Sequence, residues 1–312
     1  MDGLLVIDKP AGLTSHDVVE RMRRVLGERR VGHTGTLDPA ATGVLPLVIG
    51  RATRLARFLS GAVKTYEATI RLGVSTDTYD AEGAPSGEPY RGPWPAREQI
   101  EEALDAFRGT FVQQPPAHSA KKIAGLRSYD LARRAQQAKT RGPERGTGNP
   151  EPVSLPRPVS VTVHRLELLS ACDDLVTIRI DCSAGFYVRS LAHDLGARLG
   201  TGAHLAALRR IRSGDLDVAD ALPLARAEAD HAAAAAAVVP LERMLPGLPA
   251  GILTEDGAKR AAHGRDLGPA DFARPPVEGD RAVRLLNASG GLVGIAEPAA
   301  AGGALHPSVV LG

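Results

Sequence analysis

The chain has 312 residues, 43% of them hydrophobic and 24% charged, which suits a folded protein with a large core. No stretch approaches the roughly 20 apolar residues that a membrane helix needs, so an α-helical membrane protein is excluded. The formal net charge of +2 is unevenly shared: residues 213–312 hold 8 Lys+Arg against 13 Asp+Glu, or −5, which leaves +7 for the first 212.

The opening MDGLLVIDKP lacks a basic leader region, and its apolar run is only Leu4 to Ile7, so residues 3–7 are predicted as a strand and not as a signal peptide. A cytoplasmic location is expected. Val18, Val19, Met22, Val25 and Leu26 then recur at helical spacing, with Thr14 or Ser15 placed to cap the helix and Gly27 to end it. Residues 21–30 carry five arginines against one glutamate. Residues 64–72 alternate, which puts Tyr66, Ala68, Ile70 and Leu72 on one side of a strand.

A Pro/Gly-rich segment at 83–95 precedes a second amphipathic helix marked by Ile100, Ala103, Leu104 and Phe107. Residues 121–145 contain eight basic side chains against Asp130 and Glu144. Such a run fits a polyanion partner, although taken alone it is more often a solvated face. Residues 139–158 have almost no apolar periodicity and are expected to form a mobile insertion. Residues 159–169 and 175–182 alternate like paired strands, and Val188, Leu191, Ala192, Leu195 and Leu199 predict a helix that starts near Arg189 and stops at Gly200. Residues 232–237 are an alanine run that favours a helix. Beyond the prolines at 240, 246 and 249, short runs at 282–286 and 291–295 predict a small all-β domain. Cys172 and Cys182 are the only cysteines and form no C-x-x-C pair, so both are expected as buried thiols, with no disulfide framework or cysteine zinc site.

The segment Gly32-His33-Thr34-Gly35-Thr36-Leu37-Asp38-Pro39-Ala40-Ala41-Thr42-Gly43 packs three glycines and three threonines around one carboxylate. It cannot be a regular helix or strand. Pro39 biases Asp38 toward an extended backbone, which suits presentation of one side chain in a fixed direction. Local chemistry alone favours an ordinary Asp-Pro turn.

GHTGTLDPAATGVLP resembles the catalytic motif of the TruB-type tRNA pseudouridine synthases, and DKPAGLTS, KTYEATIRLG, PPAHSAKK, residues 182–199 and GAHLAALRR resemble further segments of that family in the same order. Six ordered motifs cover roughly residues 3–212. LVGIAEP and LHPSVVLG resemble, more weakly, its small C-terminal RNA-binding domain of the PUA type. The resemblance implies an α+β fold with a mixed, mainly antiparallel sheet: a catalytic domain over 1–240, a basic RNA-binding insertion near 118–156, and a PUA-like domain over 245–312.

It also implies isomerisation of uridine to pseudouridine in the T loop of tRNA, at position 55, by base flipping and attack of an aspartate. Asp38 aligns with the nucleophile. A pocket dry enough to hold a flipped base disfavours a charged carboxylate, so a cation is expected beside it, and Arg189 matches the family's arginine. Tyr66 matches the tyrosine that stacks on the uracil, Tyr187 and Leu208 match pocket-lining residues, and His33 matches the histidine that stacks into the RNA loop. Taken singly, Tyr66 reads first as core and His33 as a structural hydrogen-bond donor, while Tyr187 and Leu208 also fit merely buried residues and Arg189 a helix-start residue facing water. Lys9 and Pro10 are implied to brace the catalytic loop. Ala40 and His118 depart from the family pattern, which usually has a larger aliphatic residue and a tyrosine there. No phosphate loop, dinucleotide fingerprint or zinc motif occurs, in keeping with a reaction that needs no cofactor and no metal. The implied partner is the tRNA T stem-loop, with no obligatory protein partner and a monomeric enzyme. An RNA-folding factor that binds tRNA with secondary or no catalysis is the alternative, and the joint presence of Asp38, Tyr66 and Arg189 argues for the enzyme.

Overall fold

The computed structural model describes residues 1–117, 122–123, 126–127, 156–277, 282–299 and 303–312. Two compact units share the chain: 1–39, 43–61 and 216–312 form the first, and 40–42 with 62–215 form the second. Among the described residues no helix is long and apolar enough to cross a membrane. Most of the basic tract at 121–145 and of the expected insertion, together with His118, lies outside the described residues.

In the first unit the run at 3–7 extends into strand β1 (Gly3–Lys9). Helix α1 (Ser15–Leu26) starts as its capping signals require: the Asp17 amide donates to the Thr14 hydroxyl at 3.0 Å, and the Thr14 amide donates to the Asp17 carboxylate at 2.8 Å. Gly27 closes it at φ 62°, a left-handed conformation in which its amide reaches the Arg23 carbonyl. Val18, Val19 and Met22 are buried on its inner face. Strands β2 (Val31–His33) and β3 (Thr42–Ile49) pair antiparallel, and β3 lies along β1 from Gly3↔Ile49 to Lys9↔Gly43. The carboxylate-bearing segment is therefore the loop between two paired strands.

The second unit is built on strand β4 (Lys64–Leu72), whose alternate residues Tyr66, Ala68, Ile70 and Leu72 are buried as the pattern predicts. Helix α2 (Arg97–Asp105) ends earlier than the periodicity suggests, because Phe107 lies in a closing turn where its amide donates to the Leu104 carbonyl at 3.0 Å. Strands β5 (Gly109–Gln113), β6 (Val159–Cys172) and β7 (Leu175–Cys182), helix α3 (Val188–Leu199) and strand β8 (Ala203–Ser213) follow. The strand order is β8-β4-β7-β6-β5, antiparallel throughout. The expectation of two buried thiols holds only for Cys182, whose thiol burial pushes up to about 12. Cys172 is exposed, because β6 runs on to the hairpin tip and leaves it beside the Asp173–Asp174 turn.

The chain then returns to the first unit. Strands β9 (Ala250–Leu253), β10 (Phe272–Arg274), β11 (Val283–Leu286), β12 (Leu292–Pro298) and β13 (Leu305–Val310) form a sheet ordered β10-β9-β11-β12-β13, parallel only between β9 and β11. This β-rich region is not purely β. Helix α4 (Glu255–Ala262) is capped by Thr254, with acidic residues in its first turn and basic residues in its last, and it buries Ala261 with Leu253, Leu267 and Leu285. The same region shares a core with the N-terminal segments, in which Leu4, Val48 and Leu55 pack in one cluster with Met244, Ile295 and Leu311. Arg51 joins the Asp2 carboxylate at 2.9 Å to the Leu311 carbonyl at 2.8 Å, and Arg57 reaches Glu297 at 2.9 Å. The architecture is α+β with mixed, mainly antiparallel sheets.

Candidate active site

Asp38 lies in the β2–β3 loop of the first unit, and the peptide units on both sides of it are fastened from β1 and α1. The Ser15 hydroxyl, at the first position of α1, donates to the Leu37 carbonyl at 3.0 Å and accepts the Leu37 amide at 2.8 Å. On the other side, the Lys9 ammonium at the end of β1 donates to the Pro39 carbonyl at 3.1 Å and to the Pro10 carbonyl at 2.9 Å. The Gly12 amide reaches the same Pro39 carbonyl at 2.9 Å, from a left-handed turn at φ 83° that favours glycine. Lys9 has no exposed surface and Ser15 only 2%. A buried ammonium is costly unless it is hydrogen-bonded, so its carbonyl partners fix the loop as firmly as the loop satisfies the charge. Asp38 itself is half-buried, as is His33, the last residue of β2.

The remaining sequence-predicted residues belong to the second unit. Tyr66, 9% exposed, sits in the middle of the sheet, opposite Ile180 on β7 and Arg210 on β8. Residues directly opposite in an antiparallel pair share a face, so Arg210 and, one step along, Leu208 opposite Ala68 lie on the same face as Tyr66. Arg210 is 1% exposed and was not singled out from the sequence. Lys64, two residues before Tyr66 and on that face, is held below the usual ammonium range by burial and then by the Arg210 charge.

Tyr187 precedes α3, and its backbone is gripped at both ends by one side chain: its amide donates to Gln113 Oε1 at 2.8 Å, and its carbonyl accepts from Gln113 Nε2 at 3.0 Å. Arg189, in the first turn of α3, is buried and does not face water. Its Nη1 donates to the Thr78 carbonyl at 3.1 Å and pairs with the Asp80 carboxylate at 3.3 Å. Asp80 is held in turn, accepting from the Thr78 hydroxyl at 2.6 Å and the Glu82 amide at 3.1 Å. Asp80 escaped the sequence reading, because in Ser-Thr-Asp-Thr-Tyr-Asp-Ala-Glu-Gly an acid among small polar residues reads as turn chemistry. The only signal was that this stretch carries two aspartates where one would serve a turn. The second unit thus offers one sheet face with an aromatic ring, an apolar side chain and buried cations, and a guanidinium fixed at the start of a helix.

Comparison with known proteins gives consistent results. The profile for the TruB family pseudouridylate synthase N-terminal domain matches residues 23–146, and that for the tRNA pseudouridylate synthase B C-terminal domain matches residues 189–246. The tRNA pseudouridine synthase B of Solibacter usitatus is 44% identical over 313 residues, covering 100% of both chains. That of Gloeobacter violaceus is 48% identical over 237 residues, covering 73% of this chain and 74% of its own. Among solved structures, a Cbf5-Nop10-Gar1 complex contains a chain 25% identical with a TM-score of 0.71, over 99% of this chain and 85% of that one.

Proposed function

The chain belongs to the TruB family of tRNA pseudouridine synthases, and on that premise we propose that it isomerises uridine in the T loop of tRNA, at position 55, with Asp38 as the attacking carboxylate. The observation that carries the assignment of Asp38 is the fastening of Leu37 and Pro39 on either side of it by buried Ser15 and Lys9. A loop tied down on both sides of a carboxylate is the arrangement a positioned nucleophile needs.

The target nucleotide is flipped out of its stack, since its glycosidic bond is out of reach within folded RNA. The Asp38 carboxylate attacks ribose C1′, and the C1′–N1 bond breaks with its electron pair staying on uracil. The ring turns until C5 meets C1′; the C1′–C5 bond forms as the carboxylate departs, C5 loses its proton, and N1 gains one. Attack at uracil C6 instead leaves the same product and uses the same carboxylate. Tyr66 stacks on the ring, Tyr187 and Leu208 enclose it, Arg189 supplies the positive charge that keeps the carboxylate ionised in a dry site, and His33 fills the space in the RNA left by the flipped base. No step needs a redox partner, because the product has the atoms of the substrate. Residues 1–240 would carry this chemistry, with residues 245–312 as a PUA-like RNA-binding region and the basic tract at 118–156 contacting the tRNA backbone without a protein partner.

Pseudouridine mapping on total tRNA from cells lacking this chain tests the reading. Loss of the T-loop modification alone is the expected result, and its persistence in the absence of a second synthase would falsify the assignment.

A further inference from the structure

Tyr79 lies between the two groups that hold Arg189, the Thr78 carbonyl and the Asp80 carboxylate, and both of these reach the same nitrogen, Nη1. Its φ is 65°, a left-handed conformation that costs a residue with a Cβ about five- to thirtyfold in population and is ordinarily left to glycine. The turn this produces is what carries the carbonyl before Tyr79 and the side chain after it to one point. The backbone is pinned to β8, where the Tyr79 carbonyl accepts from the Leu205 amide at 2.9 Å and the Ala81 amide donates to the Leu205 carbonyl at 3.0 Å.

The side chain of Tyr79 has a support of its own. Its ring lies flat on the imidazole of His193, with centroids 3.9 Å apart and planes 14° from parallel. His193 stands four residues after Arg189 on α3, one turn along the same face. Its Nδ1 is buried and has no hydrogen-bond partner among the described residues, so at that edge the imidazole is held by packing. The Tyr79 phenol is pushed up by burial and then by the Asp194 charge, so the stacked ring is neutral.

We propose that His193 is a positioning residue for the site: by stacking on Tyr79 it braces the left-handed turn that presents the Thr78 carbonyl and the Asp80 carboxylate to Arg189. One helix then carries both the guanidinium and the support of the loop that aims it, so the two keep their spacing when α3 shifts. The inference rests on the reading of Arg189 as a residue of the uridine-isomerising site.

The test combines kinetics with amide hydrogen exchange in the protein without RNA. His193→Ala should lower kcat about five- to thirtyfold while KM stays within about twofold, because the braced state is lost and RNA contacts elsewhere are not. Exchange at residues 77–82 should quicken by a similar factor. His193→Phe, which keeps a stacking ring, should restore both. The double variant His193→Ala/Tyr79→Gly should restore both as well, since glycine takes the left-handed region without a brace. If His193→Ala does not fold, His193→Asn, also without a flat aromatic ring, carries the same comparison. Wild-type exchange and kcat in the ringless variant would overturn the proposal, and so would a double variant as slow as the single one. If exchange follows the expected pattern while the wild-type protein makes no pseudouridine, the positioning role stands and the proposed function fails.

Discussion

The Lys9 ammonium donates to the carbonyl of Pro39 at 3.1 Å, so a residue at the end of the first strand holds the chain one position beyond Asp38. Lys9→Met keeps the length of the side chain and removes the donor. It should destabilise the protein by about 1.5–3 kcal/mol, the usual worth of a buried hydrogen bond to a charged group. Turnover should fall more than tRNA affinity, because the loop is loosened while the RNA-binding surface is kept. A denaturant titration with single-turnover rates and a binding curve checks this, and an equal loss of rate and affinity would mean that Lys9 only stabilises the fold.

Asp38→Asn replaces an anion by a neutral amide of the same size. Turnover should become undetectable, beyond the 10²–10³-fold, roughly, that loss of one electrostatic contact costs, since a covalent step has no substitute group. tRNA affinity should stay within about tenfold, because it comes from phosphate contacts spread over a wide surface. A melting curve must accompany the assay. Measurable conversion by the folded variant would remove Asp38 from the mechanism. Abolished activity in a strain with normal tRNA folding and fitness would make RNA remodelling the main cellular role.

Asp80→Ala leaves the Arg189 guanidinium without that carboxylate and frees the Thr78 hydroxyl that donates to it. Removing one partner of a buried pair costs about 3–5 kcal/mol. Asp80→Asn, which keeps an acceptor for Thr78, should cost less stability and still slow turnover at least about tenfold through the misplaced guanidinium. Comparing melting with kcat for the two variants separates support of the fold from aim of Arg189. If Asp80→Asn turns over at the wild-type rate, the pair does not serve the site.

Tyr66→Leu should preserve folding, since the side chain remains apolar in a central strand, and most tRNA affinity, while kcat drops through loss of base stacking worth about 1–3 kcal/mol. Tyr66→Phe should be milder unless the hydroxyl takes part in removing the C5 proton. Equal turnover of the Leu variant and wild type would make Tyr66 a core residue only.

Neutralising Arg133, Arg134, Lys139 and Arg141 should weaken tRNA binding and flatten the log–log salt dependence by roughly 0.7–0.9 for each phosphate contact removed. An unchanged slope across a salt titration would mean that the basic run makes no such contacts.

Local elements were readable wherever the signal was local. Helix α1 announces itself through the spacing of Val18, Val19 and Met22 between Thr14 and Gly27, and β4 through strict alternation around Tyr66. The family motifs point to Asp38, but the Ser15 clamp on Leu37 could not be read, because it joins positions 22 apart whose side chain and backbone carry no mark of their pairing. Asp80 was hidden for the same reason, since the guanidinium it steers belongs to a helix 111 residues beyond Thr78. Helix α4 was missed through its short apolar face, although Thr254 at its start and Lys259 and Arg260 in its last turn were visible cues.

The shared core of Leu4, Val48 and Leu55 with Met244, Ile295 and Leu311 has a consequence for how the protein is made. The first unit is discontinuous, with its N-terminal segments and residues 216–312 separated by residues 62–215 of the second unit. On the ribosome the loop that bears Asp38 emerges early, yet the partners that complete its unit arrive only after most of the chain has been translated, a delay of about 10–55 s at 5–20 residues per second. During that interval β1 and β3 expose Leu4 and Val48 without their final cover. The nascent N-terminal segments are therefore where chaperone binding or misfolding would concentrate, and weakening the later partners, Met244 or Leu311, would trap the loop that bears Asp38 in an unfinished state although neither residue lies near it in sequence.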